Sequence, residues 1–170
     1  MKATVSILVV CTGNICRSPT AEGVLRDLAR RRGLSDRVRV ASRGTHDYHV
    51  GEPPDPRTVR HARERGYDLS AQRASQMARA DFEAFDYILA MDRGHLRTLQ
   101  ALAPKGCAAK VGLFLEASGQ WKGEDVPDPY YGDVDGFEQV LDMVEEAAGR
   151  WLDRVEADLD PGAFKLQSSR

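Results

Sequence analysis

Short apolar runs alternate along this chain with segments of helical periodicity. The run at 5–10 is continuously apolar, as in a strand that is buried on both faces of a sheet. Between 21 and 32, Val24, Leu25 and Leu28 lie on one helical face. The same alternation predicts further strands at 38–40, 85–91 and 110–113, and further helices at 55–65, at 93–102 and from Phe137 to Val155.

Strands that alternate with helices predict a parallel sheet whose two faces are covered. We therefore expect an α/β fold, a single-domain three-layer sandwich with a central four-stranded parallel sheet and helices on both faces. The length of 170 residues and the hydrophobic content of 42% fit one domain with a sizeable core. We place that domain at residues 1–159 and predict a flexible C-terminal tail at residues 160–170.

Charge and cysteine content narrow the class of protein. The formal net charge of −2, from 24 basic and 26 acidic residues, gives no electrostatic reason to expect a nucleic acid partner. The three cysteines are an odd number in a chain large enough not to need disulfides, which favours a reducing compartment. No apolar stretch approaches the length of a membrane span, and Met1 leads directly into the first strand. We predict a cytoplasmic protein with no membrane partner.

The most informative segment follows the first strand, where Cys11 begins a short loop. Gly13 and Asn14 both tolerate a positive φ, so the chain can turn sharply there. Ser18 can cap a following helix, and Pro19 suits its first position. At such a strand–loop–helix junction the backbone N–H groups converge, and the helix dipole adds positive potential. The pattern therefore predicts a cradle for an oxyanion.

Two side chains define the chemistry of this cradle. Arg17 supplies a planar, permanently charged fork that matches two phosphate oxygens. The positive field favours the thiolate of Cys11, which is the nucleophilic form of a cysteine. Together they predict transfer of a phosphoryl group to sulfur. The alternatives are a cysteine that is only a small buried hydrophobic residue, or a Walker-type loop, a dinucleotide-binding loop or a zinc site, whose required residues are missing here.

Two irregular segments, at 42–54 and 120–132, should lie near this loop, because ligands of open α/β sheets bind beyond the carboxyl ends of the strands. The first segment contains His46 and His49, which have no third metal ligand at a recognisable spacing. We interpret both histidines as solvated loop residues. Tyr48 lies between them and could form one wall of an aromatic slot.

The second segment carries the candidate proton donor. Transfer to a thiolate needs an acid for the leaving group and then a base for water, and one carboxyl group can do both. Asp128 lies between Pro127 and Pro129, which stiffen the backbone, although spacing alone ranks it only slightly above Asp125. Two tyrosines directly after it could complete the aromatic slot, namely Tyr130 and Tyr131.

The segment from Val10 to Pro19, followed by Ala21 and Glu22, resembles the active-site signature of the low-molecular-weight protein tyrosine phosphatases. The similarity extends along nearly the whole chain, with further blocks at 42–57, 85–92 and 125–132, the last of which resembles the family's general-acid loop. The resemblance implies an enzyme that hydrolyses phosphotyrosine through a phosphocysteine intermediate.

By this resemblance, Cys11 is the nucleophile, Arg17 the phosphate clamp and Asp128 the general acid and base. The expected substrates are phosphotyrosine-containing proteins or small aryl phosphates, with inorganic phosphate or vanadate as competitive ligands. Because the cradle and Arg17 already supply positive charge, we expect neither a metal ion nor another cofactor. We also expect a monomer or a weak dimer.

The remaining expected site residues bind phosphate, support the loop or form the walls of the cleft. The resemblance implies that Asn14 holds the loop with help from Ser42, and that Ser18 hydrogen-bonds the Cys11 thiolate. The full set is Thr12, Gly13, Asn14, Ile15, Cys16, Ser18, Ser42, Tyr48, Tyr130 and Tyr131. Cys16 is also the expected disulfide partner of an oxidised Cys11, which makes the site redox-sensitive; the alternative is that it only packs against the sheet.

Two positions depart from the family pattern. Gln72 stands where many members carry a histidine linked to the loop, and His95 replaces a common asparagine. Three other interpretations stay open. Some relatives dephosphorylate protein arginine and carry a threonine at the position of Ile15, and others reduce arsenate through a cysteine relay that Cys107 is not placed to join. A catalytically silent phosphate-binding or redox-sensing module would require the loss of the nucleophile, the clamp or the acid.

Overall fold

The computed structural model describes residues 2–130, 132 and 134–159. The four strands are Val5–Cys11 (β1), Val38–Gly44 (β2), Tyr87–Ala90 (β3) and Lys110–Leu113 (β4). The helices are Arg17–Arg31 (α1), Pro56–Glu64 (α2), Asp81–Ala84 (α3), Arg93–Leu102 (α4) and Val134–Asp158 (α5), and a one-turn 3-10 helix lies at Phe114–Ala117. Each predicted strand and helix is present.

All four strands run parallel, in the order β2–β1–β3–β4. β1 therefore lies inside the sheet, which explains its continuous apolar sequence. Its register places Cys11 beside Gly44 at the end of β2, and Val10 beside Ala90 at the end of β3. The ends of three strands thus meet at one edge of the sheet.

The two faces of the sheet carry separate hydrophobic layers. On one face, α1 and α5 bury Val24, Leu25 and Val144 completely. On the other face, α3 and α4 bury Phe82 and Leu99. Each fully buried side chain of this kind contributes about 1.5–3 kcal/mol relative to an exposed one. The predicted three-layer α/β sandwich is confirmed.

Some boundaries lie outside the predicted ranges or beyond the described residues. α1 begins at Arg17 rather than at Pro19, which lies at its third position, and α5 begins three residues before Phe137. The predicted tail at 160–170 lies outside the described residues, so the domain boundary at residue 159 stays a prediction. None of the helices in the described part of the chain combines the length and apolarity that a membrane span requires.

Close backbone contacts fix the loops at this edge of the sheet. Gly44 has no room for a side chain, since a Cβ there would lie 2.7 Å from the carbonyl oxygen of Thr12. On the other side, the amide of Val126 donates to the carbonyl of Met91 just after β3, at 2.8 Å. These contacts bring the segments at 42–54 and 120–132 against the loop that begins at Cys11.

Candidate active site

The loop after β1 turns its carbonyl groups outward. The carbonyl oxygens of Cys11, Thr12, Ile15 and Cys16 accept hydrogen bonds of 2.8–3.2 Å from backbone amides that lie outside the loop. Among the described residues, no acceptor pairs with the amide N–H groups of residues 12–17. A concave row of unbonded amides at a helix N-terminus is an anion-binding geometry.

Asn14 holds this shape. Its φ of 59° lies in the left-handed region, and both hydrogens of its Nδ2 are donated, to Ser18 Oγ at 2.8 Å and to Ser42 Oγ at 2.9 Å. The amide of Ser75 donates to its Oδ1 at 2.9 Å. Ser42 in turn donates to the buried carboxylate of Glu22 at 2.8 Å. Asn14 is thus fixed by three segments of the chain.

Ser18 connects this network to the nucleophile. Its hydroxyl accepts from Asn14, so its own proton is available for Cys11 Sγ, which lies 3.0 Å away. The prediction that Ser18 caps the helix is wrong: α1 starts at Arg17, its N-cap is Cys16, and no side chain caps it. The Ser18 hydroxyl does not cap α1 because it accepts a hydrogen bond from Asn14 and lies against Cys11 Sγ.

Arg17 is buried and positioned before any ligand arrives. Its Nη1 donates to Asp92 Oδ2 at 2.7 Å and to the carbonyl of Val126 at 3.0 Å. Its Nη2 lies 3.5 Å from His95 Nε2 and 3.8 Å from Asp128 Oδ2. No hydrogen bond within the described residues uses its Nε. The edge formed by Nε and Nη2 is therefore open to a bidentate anion.

His95 is a neutral histidine beside this clamp. Burial and the nearby charge of Arg17 lower the pKa of His95 to about 4, although Asp92 opposes the shift. Its Nε2 lies 2.7 Å from Thr12 Oγ1 and also faces Arg17, which can only donate. We therefore infer that Nε2 accepts and that the ring proton is on Nδ1, which lies 3.1 Å from Asp92 Oδ1 but forms no hydrogen bond with the described residues.

Asp92 is an ionised partner for both groups. Burial opposes its ionisation, but hydrogen bonds from the amide of His95 and from Arg17 hold the pKa of Asp92 below its ordinary value. Its Oδ1 also caps α4, because it accepts from the amide of His95 at 2.9 Å. One carboxylate thus begins a helix and fixes the direction of the clamp.

The two candidate carboxylates of the 120–132 segment have different surroundings. Asp128 lines the cleft, is 42% exposed, and accepts from the amide of Tyr130 at 3.0 Å. Asp125 instead accepts from the amide of Arg93 at 3.0 Å and pairs with its side chain at 3.1 Å, away from the cleft. The structure therefore places Asp128 in the cleft and Asp125 outside it, although spacing alone ranked the two nearly equally.

The cleft has a volume of about 180 Å³, and aromatic side chains form its rim. Tyr48 is largely exposed and stacks on His46, and Tyr130 also lines the cleft. His49 is a half-buried residue of its loop that also lines the cleft, where it packs against Gly13. Tyr131 lies outside the described residues.

The positions that depart from the family pattern form other contacts. Gln72 donates to the carbonyl of Pro19 at 3.0 Å and does not contact Asn14. The backbone amide of Ser75 donates to the side-chain oxygen of Asn14. Burial raises the pKa of Cys16 to about 12, although the nearby Thr58 hydroxyl opposes the shift. A thiol of this kind attacks slowly, so its disulfide with an oxidised Cys11 stays a prediction. 

Three residues of the site were missed by the sequence analysis. Asp92 could have been found, because an acidic residue directly after a buried strand and before a helix is an N-cap signal. Ser75 acts through its backbone, and His49 acts through contact with a glycine, so neither leaves a signal in residue type or spacing. Cys107 contacts the carbonyls of Phe82 and Ala109 and lies outside the site.

Comparison with known proteins agrees with this geometry. The family model described as low molecular weight phosphotyrosine protein phosphatase matches residues 6–160. A low molecular weight protein-tyrosine-phosphatase from Streptomyces coelicolor is 44% identical over 160 residues, which cover 92% of this chain and 97% of that protein.

Solved structures show the same fold. A protein tyrosine phosphatase from Entamoeba histolytica, crystallised with Hepes in its active site, has a TM-score of 0.87 at 34% identity and covers 91% of this chain and 99% of its own. The Drosophila arginine phosphatase DARP has a TM-score of 0.82 at 31% identity, covering 91% of this chain and 97% of its own. From the family match and the full-length relatives, we conclude that this chain belongs to the low molecular weight phosphotyrosine protein phosphatase family.

Proposed function

We propose that this protein hydrolyses phosphotyrosine through a phosphocysteine intermediate on Cys11. The observation that carries the proposal is the convergence of unbonded loop amides, the open edge of Arg17 and the Cys11 sulfur in one cleft. Donors fixed in this way stabilise the charge that develops on a phosphoryl group during transfer. The expected substrates are phosphotyrosine-containing proteins or small aryl phosphates.

The first step transfers the phosphoryl group to sulfur. The substrate phosphate occupies the loop and accepts from Nε and Nη2 of Arg17. Cys11 Sγ attacks phosphorus in line with the phenolic oxygen, so the S–P bond forms while the P–O bond to tyrosine breaks. The proton of the Asp128 carboxyl group moves to the leaving oxygen. The hydroxyl of Ser18 stabilises the thiolate before attack, at 3.0 Å from the sulfur.

The second step returns the enzyme to its starting state. Asp128, now ionised, accepts a proton from a water molecule that enters the place of the tyrosine. The water oxygen attacks phosphorus, the S–P bond breaks, and inorganic phosphate leaves Cys11 as a thiolate. The exposure of Asp128 gives this water access to the carboxylate. Inorganic phosphate and vanadate would compete for the same loop.

The walls of the cleft favour an aryl substrate. Ile15 presents a branched apolar surface, and Tyr48 and Tyr130 extend it at the rim. A phenyl ring can bury its faces on these side chains, whereas phosphoserine offers no comparable surface and is shorter. Protein-arginine phosphatase activity is the second candidate, since the Drosophila arginine phosphatase shares the fold.

Replacement of the nucleophile tests the proposal. Cys11→Ser should abolish turnover of a phosphotyrosine peptide and still bind vanadate, because the amides and Arg17 stay in place. Cys107→Ser is the matched control, as Cys107 lies outside the cleft, and it should retain the wild-type rate. Full activity of Cys11→Ser would contradict the proposal, as would activity that EDTA removes and a divalent cation restores.

The compartment and the oligomeric state are separate questions. A cytoplasmic location and a monomeric or weakly dimeric state stay predictions. Sedimentation of the purified protein would test the second.

A further inference from the structure

The general acid of the proposed reaction lies on a short segment that is fixed on both sides. We call residues 126–130 the acid segment. On its N-terminal side, the amide and the carbonyl of Val126 both form the hydrogen bonds described above. On its C-terminal side, Nη2 of Arg57 donates to the carbonyl of Tyr130 at 3.1 Å. Asp128 lies between these two contacts, and Arg57 takes no part in the proposed reaction steps.

Arg57 is itself oriented by a buried carboxylate. Its Nε and Nη2 donate to the two side-chain oxygens of Asp55, at 3.1 and 3.0 Å, in the fork geometry that gives arginine pairs their directional specificity. Asp55 is only 8% exposed and also caps α2. Burial opposes its ionisation, but hydrogen bonds from the side chain and the amide of Arg57 hold the pKa of Asp55 below its ordinary value. The two hydrogens of Arg57 Nη2 are thus shared between Asp55 and Tyr130.

The same contacts reach the loop after β1. The amide of Asp55 donates to the carbonyl of Ile15 at 2.9 Å, within that loop. At the other end, the amide of Tyr130 donates to Asp128 Oδ1 at 3.0 Å. Arg57 joins these two hydrogen bonds, because it contacts both Asp55 and Tyr130. The carboxyl group of the acid is therefore connected, step by step, to the loop that would hold the phosphate.

Arg57 also packs on two aromatic rings. Its Cζ lies 5.3 Å from the ring centroid of Tyr130 and 5.0 Å from that of Phe137, within the range of about 6 Å over which a ring attracts a cation. Phe137 is buried in the first turn of α5 and stacks on His61 of α2. Arg57 thus contacts α2, the start of α5 and the acid segment, and it holds the three together.

We propose that Arg57 is a positioning residue that sets the place of the Asp128 carboxyl group over the bound phosphate. This inference rests on the proposed function. The side chain of Asp128 is 42% exposed, so its place depends on the backbone of the acid segment. Proton transfer needs a separation of about 2.6–3.2 Å, and a misplacement of about 1 Å can cost about 100-fold in rate. Arg57 is not among the residues that line the cleft, so it acts through Asp128 rather than on the substrate.

Turnover of substrates with two different leaving groups tests this role. Arg57→Met keeps an unbranched stem and removes the fork, and it should lower kcat/KM for a phosphotyrosine peptide by about 10- to 100-fold. The loss should be smaller for para-nitrophenyl phosphate, whose phenol is more acidic and needs less protonation. Vanadate should bind this variant as tightly as the wild type, because the loop amides and Arg17 stay in place. Arg60→Met, at an exposed arginine of the same helix, is the matched control and should keep the wild-type values.

A double variant separates positioning from a general structural effect. If Arg57 acts through Asp128, Arg57→Met should cause no further loss once Asp128→Asn is present. Losses that multiply would overturn the proposal, as would equal losses of Arg57→Met on both substrates. Arg57→Lys keeps the charge, but its single ammonium group cannot replace the fork, so it should show the same dependence on the leaving group. This second variant decides the matter if Arg57→Met does not fold.

The same measurements distinguish the failure of this role from the failure of the proposed function. A loss in Asp128→Asn that depends on the leaving group, together with wild-type rates in Arg57→Met and Arg57→Lys, would refute the role of Arg57 and leave the proposed function in place. Absence of phosphotyrosine turnover by the wild type would overturn both.

Discussion

At the scale of single residues, the groups that hold and attack the phosphate are buried, whereas the group that carries the proton is partly exposed. Arg17 and Cys11 are buried and held by neighbours, whereas Asp128 stands at the cleft mouth with a partly exposed carboxyl group. This division suits the proposed chemistry, because the phosphate must be held rigidly while the proton carrier must also meet water. Fixed donors require no reorganisation when charge develops.

Asp128 should contribute in proportion to how strongly the leaving group needs a proton. We expect Asp128→Asn to lower kcat for a phosphotyrosine peptide by about 10²–10⁴-fold, the usual contribution of general acid catalysis. The loss should be smaller for an aryl phosphate whose phenol is more acidic. Asp125→Asn is the matched control and should have little effect on either rate, because its carboxylate is paired with Arg93. Equal losses of Asp128→Asn on both substrates would contradict a proton-donor role.

His95 should make the folded protein sensitive to acid. Its native pKa of about 4 lies below the ordinary value, so the unfolded chain takes up the proton first as the pH falls. Stability from this residue is complete above about pH 6.5 and is lost toward pH 4. Between pH 7 and pH 5, the wild type should therefore lose about 2 kcal/mol more unfolding free energy than His95→Asn.

Urea unfolding at the two pH values measures this difference. Gln100→Asn serves as the control, since Gln100 is exposed on the same helix and does not titrate, and it should show the same pH dependence as the wild type. The same loss in His95→Asn as in the wild type would show that the ring is not held neutral by its surroundings.

Ile15 should set the preference between aryl and guanidinium substrates. We expect the wild type to prefer phosphotyrosine over phosphoarginine and phosphoserine, because Ile15 lines the cleft with an apolar side chain. Ile15→Thr should shift the ratio of kcat/KM toward phosphoarginine. Val50→Thr also replaces a β-branched apolar side chain with threonine, at an exposed position outside the cleft, and it should leave the ratio unchanged. A wild type that favours phosphoarginine would make the second candidate function the correct one.

At the scale of elements, the junction between β1 and α1 depends on one side chain rather than on a helix cap. Asn14→Gly permits the φ of 59° but removes three hydrogen bonds, and Asn14→Ala removes the same bonds and adds backbone strain. We expect both variants to lose most of kcat/KM. Asn14→Ala should be less stable than Asn14→Gly by about 1 kcal/mol, since strain of about 1–2 kcal/mol is partly offset by the greater unfolded-chain entropy of glycine. Wild-type turnover of Asn14→Gly would show that these bonds do not hold the loop.

The strands and the long helices could be predicted from the sequence, whereas the shortest elements could not. Long periodic segments and the continuous apolar run of β1 identified the sheet and its helices, because burial on a face repeats along the chain. α3 and the 3-10 helix were missed, since four residues are too few for a period. The cap at Ser18 was predicted wrongly because its true partners, Asn14 and Cys11, meet it only through the folded loop.

The supporting contacts of the site could be predicted least. Asp92 meets Arg17 across 75 positions of the chain, and Ser75 meets Asn14 across 61. Such pairs have no characteristic spacing, so only the resemblance to a family indicated a supporting network. The roles of the cleft residues therefore rest on proposals that the variants above test.

At the scale of the whole molecule, the interior position of β1 has a consequence for how the chain folds. The first strand is flanked by β2 and by β3, and β3 begins about eighty residues later, at Tyr87. During synthesis from the N-terminus, β1 can pair with β2 on one side, but its other edge stays unpaired until β3 has emerged. Pairing across such distances is slow, and an exposed strand edge of this kind favours aggregation. The loop after β1 depends on still later residues, because the carbonyl of Val126 holds Arg17 and the proton carrier is Asp128. Nascent chains should therefore acquire catalytic competence only after residue 128 has emerged.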